Sequence, residues 1–291
     1  MSTVKLAHLE NRGIIRISGA DTVKLLDGIV TNNLARLDDQ PAIHSGLLSP
    51  QGKIQFDFIL VREGDDLLLE TNQDKITTLI QRLTLYRLRA DVTFEDQSTS
   101  LAVMAAWGDP VDAPGGVLAF PDPRNAKLGQ RLIMPVERIA EIPGERMTET
   151  EYHAHRISIG IPEAELDYAL GDAFPHEALY DQLASVDFKK GCYVGQEVVS
   201  RMQHRGTARK RIVPVTASST LETGTDVTAG EATIGTIGSV ADGHGLALLR
   251  LDRANEAKEK AVPLTAANAE LTISKPDWMT LDIATGKAGD H

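Results

Sequence analysis

The N-terminal hundred residues carry apolar runs of strand length that are separated by turn residues. Residues 13–17 form a short run, and longer runs at residues 42–49 and 53–61 are joined by Ser49-Pro50-Gln51-Gly52. Pro and Gly between two apolar runs favour a tight turn. A second turn leads to the apolar residues 67–69. This pattern predicts an antiparallel β-meander.

Three segments have helical rather than strand spacing. Apolar residues recur from Val23 to Val30 after Asp21, which is predicted to cap a helix. Residues 76–83 place Ile or Leu at positions i, i+3, i+4 and i+7. A third helix is predicted over residues 148–159 and ends before Pro162. Further strands are predicted at residues 92–94, 101–106 and 132–134.

After Gly206 the chain changes to short β-branched runs between glycine-rich turns, which is typical of a small β-barrel. These runs are residues 211–216, 232–240, 246–251 and 271–274. We therefore predict an α+β fold class. Residues 1–205 would form a body of two lobes, residues 206–285 an antiparallel C-terminal β-barrel, and residues 286–291 a frayed tail.

The composition is that of a soluble globular protein large enough for two or three domains. Of the 291 residues, 42% are hydrophobic and only 4% are aromatic, so few side chains can stack on single-stranded nucleic acid. The single cysteine excludes an intrachain disulfide and fits a reducing compartment. Lys5, Glu10 and Arg12 interrupt any apolar leader. We predict a cytoplasmic location, or the mitochondrial matrix if a targeting segment has been removed.

The most informative run is Lys189–Glu197, which contains the only cysteine, Cys192, between Gly191 and Gly195. Neighbouring lysines favour a thiolate over a thiol. Apolar residues follow at helical spacing from Val198, so a helix N-terminus with free N–H groups is predicted directly after the loop.

Residues 190–197 resemble the signature of the YgfZ family, folate-binding proteins tied to iron–sulfur cluster assembly and repair. The family is related in fold to the T-protein (aminomethyltransferase) of the glycine cleavage system. The matching signature residues are Lys190, Gly191, Cys192, Tyr193, Gly195, Gln196 and Glu197. Residues 19–32, 48–53 and 156–162 resemble further family segments in the same order, and the matches span about residues 14–250.

The resemblance implies a T-protein-like body with a central folate cavity and tetrahydrofolate as cofactor. The implied folate contacts are Asn32, Gln51, Lys53, Arg156 and Tyr193. Cys192 is implied as a reactive thiol or a transient ligand of an iron–sulfur cluster. No resident metal site is predicted, because the spacings of His153, His155, His176 and His204 match no zinc template.

Structural roles compete with these functional ones. Cys192 could be a small buried hydrophobe, and Tyr193 could pack in the core instead of stacking on a pterin ring. Gln196 and Glu197 could begin the helix, and Glu197 could pair with Lys190 or with Arg201 one turn later. We favour the structural role for Glu197.

Residues 189–211 hold seven Lys and Arg against one acid, in a chain whose net charge is −11. A solvated basic surface and an anion site, for a folate glutamate tail or for RNA, are both open.

Ser158 departs from the family pattern. Many relatives carry an acid that holds the pterin at this position, within Arg-x-Glu-x-Gly. The departure implies weakened folate binding and gives no support to aminomethyl transfer. Residues 156–163 look closer to the mitochondrial-type iron–sulfur assembly branch of the superfamily.

The resemblance thus implies a folate-dependent factor for assembly or maintenance of iron–sulfur proteins, mainly of the four-iron four-sulfur kind, with little or no enzymatic turnover. Its partners would be folate and iron–sulfur client or assembly proteins, and no membrane. One alternative is a folate-dependent one-carbon transferase that moves an aminomethyl group or demethylates. A second alternative is a binding factor linked to RNA modification, although the acidic total charge argues against general nucleic-acid binding.

Overall fold

The computed structural model describes residues 3–206 and 208–286, which divide into two compact units. The first, here called the sheet unit, comprises residues 3–48, Gln55–Tyr152 and Leu183–Val194. The second, the barrel unit, comprises Ser49–Ile54, His153–Gln182 and residues 195–286. Within the described ranges, no helix is both long enough and apolar enough to cross a membrane.

The described residues form sixteen β-strands and five α-helices. The strands are β1 Lys5–His8, β2 Arg12–Ser18, β3 Ala42–Leu48, β4 Ile54–Glu63, β5 Asp66–Asn72, β6 Thr93–Asp96, β7 Leu101–Trp107, β8 Leu118–Pro121, β9 Gln130–Pro135, β10 Glu145–Met147, β11 Lys210–Ala217, β12 Asp226–Ala229, β13 Ala232–Ala241, β14 His244–Arg250, β15 Leu264–Ala266 and β16 Ala269–Ile273. The helices are α1 Thr22–Asp27, α2 Ile76–Arg87, α3 Glu149–Ile159, α4 Gln196–Arg205 and α5 Leu251–Glu259.

The sheet unit contains two five-stranded sheets, in the orders β10-β1-β7-β9-β8 and β3-β4-β5-β2-β6. Alternate side chains of the second sheet enter different apolar clusters. Ile14 and Leu68 pack with Val103 of the first sheet, whereas Ile15 and Leu69 pack with residues of α1 and α2. Because this sheet is covered on both faces, its strands are apolar at successive positions, as in the Leu-Leu-Leu run of β5.

A cluster of charged groups is buried inside the sheet unit. Asp122 accepts hydrogen bonds from Arg124 at 2.8 Å and from Arg131 at 3.0 Å, and both arginines also donate to the Tyr152 hydroxyl. Burial acts to raise the pKa of Asp122, but the two guanidinium groups outweigh it and hold that pKa well below its ordinary value. Paired in this way, the charges form a structural cluster.

The barrel unit contains a closed antiparallel barrel of six strands, in the order β11-β14-β13-β12-β15-β16, with β16 returning to β11. The pairing of β13 with β14 shifts register between Ile237 and Val240. Such a bulge leaves backbone groups free to turn away from the ladder. Here the Ser239 N–H donates to the carboxylate of Asp167 at 2.8 Å, so the bulge fixes a segment outside the barrel to a barrel strand.

Most elements predicted from the periodicity are confirmed, including the meander, helices α2 and α3, and the α+β class with a closed C-terminal barrel. The strand predicted over residues 246–251 begins two residues late and ends one residue late, because β14 begins at His244 and Leu251 begins α5, a helix that was not predicted. The barrel strands run from Lys210 to Ile273, and the 205/206 domain boundary and the central cavity stay predictions. The predicted frayed tail lies outside the described residues except for Gly286.

Candidate functional site

The signature residues form an irregular loop that leads into α4. Gly195 precedes the helix with φ +80°, a left-handed conformation that glycine adopts without strain. Helix α4 then begins at Gln196, which confirms the predicted helix start. Glu197 pairs with Arg201 at 2.6 Å, one helical turn later, and both side chains are largely exposed. The structural role favoured for Glu197 is therefore the one that its contacts show.

Lys190 anchors the loop to residues 27–32 of the sheet unit. Its ammonium group donates to the backbone carbonyls of Val30 at 3.0 Å and Asn32 at 2.7 Å, and lies 3.1 Å from the Asp27 carboxylate. The side chain is 1% exposed. Burial lowers the pKa of Lys190, and the negative charge of Asp27 opposes that effect. Lys190 thus holds the loop through buried hydrogen bonds and an ion pair, and it is not a free cation beside the thiol.

Tyr193 lies in the same anchored loop and is buried. Burial raises the pKa of its phenol, and the Lys190 ammonium lies 5.5 Å from the centre of its ring. Val194, the next residue, packs against the core beneath the second sheet. Packing within the sheet unit therefore accounts for Tyr193, and its stacking on a pterin stays a prediction.

Cys192 stands between these buried anchors with an exposed thiol. The preceding Gly191 is also exposed, and no heavy atom would lie within 4 Å of a Cβ at that position. Lys189 is exposed as well, and its backbone N–H donates to Asp187 at 2.8 Å. Exposure is the first requirement of a thiol that reacts with, or ligates, a group brought by another molecule.

A buried polar row lies behind the loop in the sheet unit. The Asn32 amide donates to the carbonyls of His44 at 2.8 Å and Ala184 at 2.7 Å, and its oxygen accepts from the next backbone N–H. The His44 ring lies between Ser185 Oγ at 2.6 Å and Asp57 at 3.0 Å. Asn32 therefore uses its side-chain hydrogen-bonding groups inside the unit, and contact with folate stays a prediction.

The predicted turn at residues 49–52 belongs to the barrel unit and packs closely on α4. Gly52 has φ +80°, and a Cβ there would lie 2.9 Å from the Cβ of Val198. Gln51 is exposed at the tip of this turn. Lys53 lies over the Phe174 ring at 3.8 Å and bonds to Asp172. Gln51 thus has an exposed side chain, whereas Lys53 is partly occupied by neighbours.

Arg156 is fully buried in the barrel unit, where it joins three segments. It donates to Asp167 at 2.7 Å, to the Ile161 carbonyl, and to Ser239 Oγ at 2.9 Å. Asp167 in turn accepts from the backbone N–H groups of Glu163 and Ser239. These contacts hold the Arg156 guanidinium within the barrel unit, and its contact with folate stays a prediction.

Ser158, two residues further along α3, is exposed, and its hydroxyl donates to the His155 carbonyl at 2.7 Å. It is therefore an uncharged side chain at the position where the family resemblance implies an acid. Asn32 and Arg156 each bond within their own unit, and the folate contacts of Gln51, Lys53 and Tyr193 stay predictions as well.

The basic segment is less available than its sequence suggests. Lys190 is buried, Arg201 pairs with Glu197, and Arg211 is buried on Asp181 at 2.6 Å. The remaining cations, Lys189, Arg205, Arg209 and Lys210, are exposed. Internal pairs therefore take up three of the seven positive charges, which weakens the argument for an anion site or an RNA site.

The four histidines weighed as metal ligands have different surroundings. His153 accepts from Arg156, His176 is buried and bonds to Gln203 at 2.9 Å, and His204 is exposed. Burial lowers the pKa of His176. Among the described residues, no group of three or more His, Cys, Asp or Glu could hold a metal ion.

The structure thus groups Asn32, Lys190, Cys192 and Tyr193 in the sheet unit, and Gln51, Lys53 and Arg156 in the barrel unit. The polar residues that hold these groups in place were not predicted from the sequence. These are Asp27, His44, Asp57, Asp167 and Ser185. A signal was available for two of them, since His44 and Asp57 are polar residues within largely apolar strands.

The two-sheet unit and the closed barrel define the class of fold. The structure is similar to glycine cleavage system aminomethyltransferase T from Bartonella henselae, with a TM-score of 0.75 and 13% identity over 95% of this chain and 86% of that one. The chain therefore has the aminomethyltransferase fold. Residues 209–281 match the family model of the CAF17 C-terminal β-barrel domain.

The sequence relatives are more specific. The human protein named iron–sulfur cluster assembly factor IBA57, mitochondrial, is 32% identical, covering 93% of this chain and 84% of the relative. The corresponding homolog from Mycosarcoma maydis is 35% identical over 74% of this chain. The chain spans a little over half, 57%, of that fungal relative's length. The chain belongs to the IBA57 family of iron–sulfur cluster assembly factors.

Proposed function

We propose that this protein acts in the assembly or maintenance of iron–sulfur proteins, chiefly those with four-iron four-sulfur clusters. The observation that carries the proposal is the exposed Cys192 thiol on a loop whose neighbours, Lys190 and Tyr193, are buried. A single exposed thiol can complete the ligand set of a cluster whose other ligands come from a partner. Relatives named as iron–sulfur cluster assembly factors support this role.

A deletion strain tests the assembly role. Activity of a four-iron four-sulfur enzyme should fall without the gene and return with the wild-type chain, whereas an iron-free enzyme from the same extract should not change. A two-iron two-sulfur enzyme measured in parallel reports whether the effect is confined to the larger clusters. Normal activity of both cluster enzymes in the deletion strain would refute the proposal.

The finer assignment to a YgfZ-like, folate-dependent factor is also a proposal. It is supported by the signature at residues 190–197, by the aminomethyltransferase fold, and by the exposed Gln51 beside Lys53. The side chains of Asn32 and Arg156 form hydrogen bonds within the protein. Folate would therefore be bound through fewer contacts than in relatives with an acid at position 158. No step of group transfer follows from these residues.

Tetrahydrofolate should therefore bind weakly to the wild-type chain and more tightly to Ser158→Glu. A carboxylate can accept hydrogen bonds from a pterin, and hydrogen bonds to charged groups contribute about 1.5–3 kcal/mol. Calorimetry on the two proteins, with the neutral isostere Ser158→Gln as control, measures the difference. Equal or weaker binding by the glutamate variant would remove the argument from this position.

The location of the protein is a further proposal. A single exposed thiol is suited to a reducing compartment. The relatives are named as mitochondrial. If the chain comes from a eukaryote, these names favour the mitochondrial matrix over the cytoplasm as its location.

A further inference from the structure

The end of α2 exposes two leucines to solvent. Leu85 is 69% exposed and Leu88 is 87% exposed, the largest values among the exposed apolar side chains of the described residues. Leu79 and Leu83 of the same helix are fully buried. The helix therefore has an ordinary core face and, in addition, an apolar end that is not covered within the described part of the chain.

The backbone at Leu88 is strained. Its φ of +48° and ψ of −102° are close to the first central position of a type II′ turn, and the Ala90 N–H closes the turn on the Arg87 carbonyl at 2.8 Å. Glycine dominates this position because a side chain disfavours positive φ, and a bulky residue there is an outlier. With 87% of its surface exposed, Leu88 gains little packing in return. Strain of this kind clusters at sites that bind other molecules.

Helix α2 and the turn that follows it carry only positive charge. Residues 75–90 contain four Lys and Arg and no Asp or Glu, in a chain with a net charge of −11. Arg82 and Arg89 are exposed, and neither forms an ion pair or a side-chain hydrogen bond with any described residue. A partner that covers the two leucines would therefore meet two uncompensated positive charges beside them.

We propose that Leu85, Leu88, Arg82 and Arg89 form a docking surface for a partner protein that offers an apolar pocket rimmed by Asp and Glu. Charge complementarity selects an acidic partner, and an apolar centre with a polar rim is the usual anatomy of a protein interface. A membrane-binding helix needs a continuous apolar face, which two leucines at one helix end do not supply. This surface is independent of Cys192 and of folate, so it goes beyond the proposed function.

The strain at Leu88 provides a discriminating variant. Glycine suits the backbone of that position, so Leu88→Gly should melt no earlier than wild type while it removes the apolar contact. Leu85→Ser removes the second exposed leucine, and Arg82→Glu reverses one of the two positive charges. Val136→Ser is the matched control, because Val136 is also an exposed apolar residue of the sheet unit, at 42%.

The partner is found by placing a benzophenone-carrying residue at the exposed position of Gln81, one turn before Leu85, in the full chain in cells. The crosslinked protein is then purified, and its affinity for each variant is measured. We expect at least tenfold weaker binding for Leu88→Gly and Leu85→Ser, weaker binding for Arg82→Glu and at high salt, and no change for Val136→Ser.

Three results would overturn the proposal. The first is the absence of a crosslinked protein, or one whose affinity Leu88→Gly leaves unchanged. The second is a crosslink to another copy of this chain. The third is binding of the chain to phosphatidylserine vesicles that Leu88→Gly abolishes, since the surface would then serve a membrane.

Discussion

Asp167→Ala is expected to destabilise the barrel unit by about 3–5 kcal/mol, because it leaves Arg156 buried without its counter-ion. The two side chains are 0% and 1% exposed. The substitution also removes the acceptor for the backbone N–H groups of Glu163 and Ser239. Urea unfolding followed by circular dichroism measures the change.

Asp172→Ala is the control for this prediction. Asp172 faces Lys53 at 3.5 Å, but its side chain is 90% exposed. The loss of this pair should therefore hardly change the urea concentration at the midpoint of unfolding. A second control is the double replacement of Arg156 and Asp167 by Met and Leu, which should recover part of the lost stability. If Asp167→Ala and Asp172→Ala unfold at the same urea concentration, the buried ion pair does not have the role assigned to it.

Lys190→Met is expected to cost about 2–3 kcal/mol and to loosen the signature loop. The Val30 and Asn32 carbonyls would lose their buried donor, and an unsatisfied buried acceptor costs about 1–3 kcal/mol. The neighbouring Lys189→Met should have little effect, since Lys189 is exposed. Amide hydrogen exchange over residues 187–194 reports the loop directly and should speed up only in the Lys190 variant.

Asp27 distinguishes a charge effect from a packing effect at Lys190. Lys190→Met leaves the Asp27 carboxylate without its cation, although that side chain is 39% exposed and partly hydrated. Adding Asp27→Asn should restore some stability and slow the loop exchange again. Identical exchange in the Lys189 and Lys190 variants would contradict the anchoring role.

The periodicity of the sequence predicted the elements whose burial follows a simple rule. The helix at residues 76–83 has a core face of Ile76, Leu79 and Leu83, and the β-branched runs after Gly206 form barrel strands as expected. Helix α5 was not predicted, because its buried face is formed by Leu251, Ala254 and Ala257, and these give a weak apolar signal beside many charged residues. Short strands such as β1 and β10 owe their existence to pairing with distant partners.

Only part of the candidate site could be predicted from the sequence, because the rest depends on partners that are distant along the chain. The run around Cys192 stands out locally through its glycines and lysines. The role of Lys190 depends on Asn32, 158 residues earlier, and that of Asp167 on Ser239, 72 residues later. No local pattern encodes such pairs, so the sequence alone could not show that Lys190 and Arg156 each have a buried partner.

The role of Cys192 is tested by measuring how well the Cys192→Ala variant supports maturation of a four-iron four-sulfur enzyme. The variant is expressed in the deletion strain beside wild type, with Cys192→Ser as a second substitution and the urea midpoint of each purified protein as the control for folding. Because the thiol is exposed, its removal should leave the midpoint unchanged. We expect both variants to fold normally and to lose most of the cluster-enzyme activity. Full activity with Cys192→Ala, or a loss of activity that tracks a lowered midpoint, would contradict it.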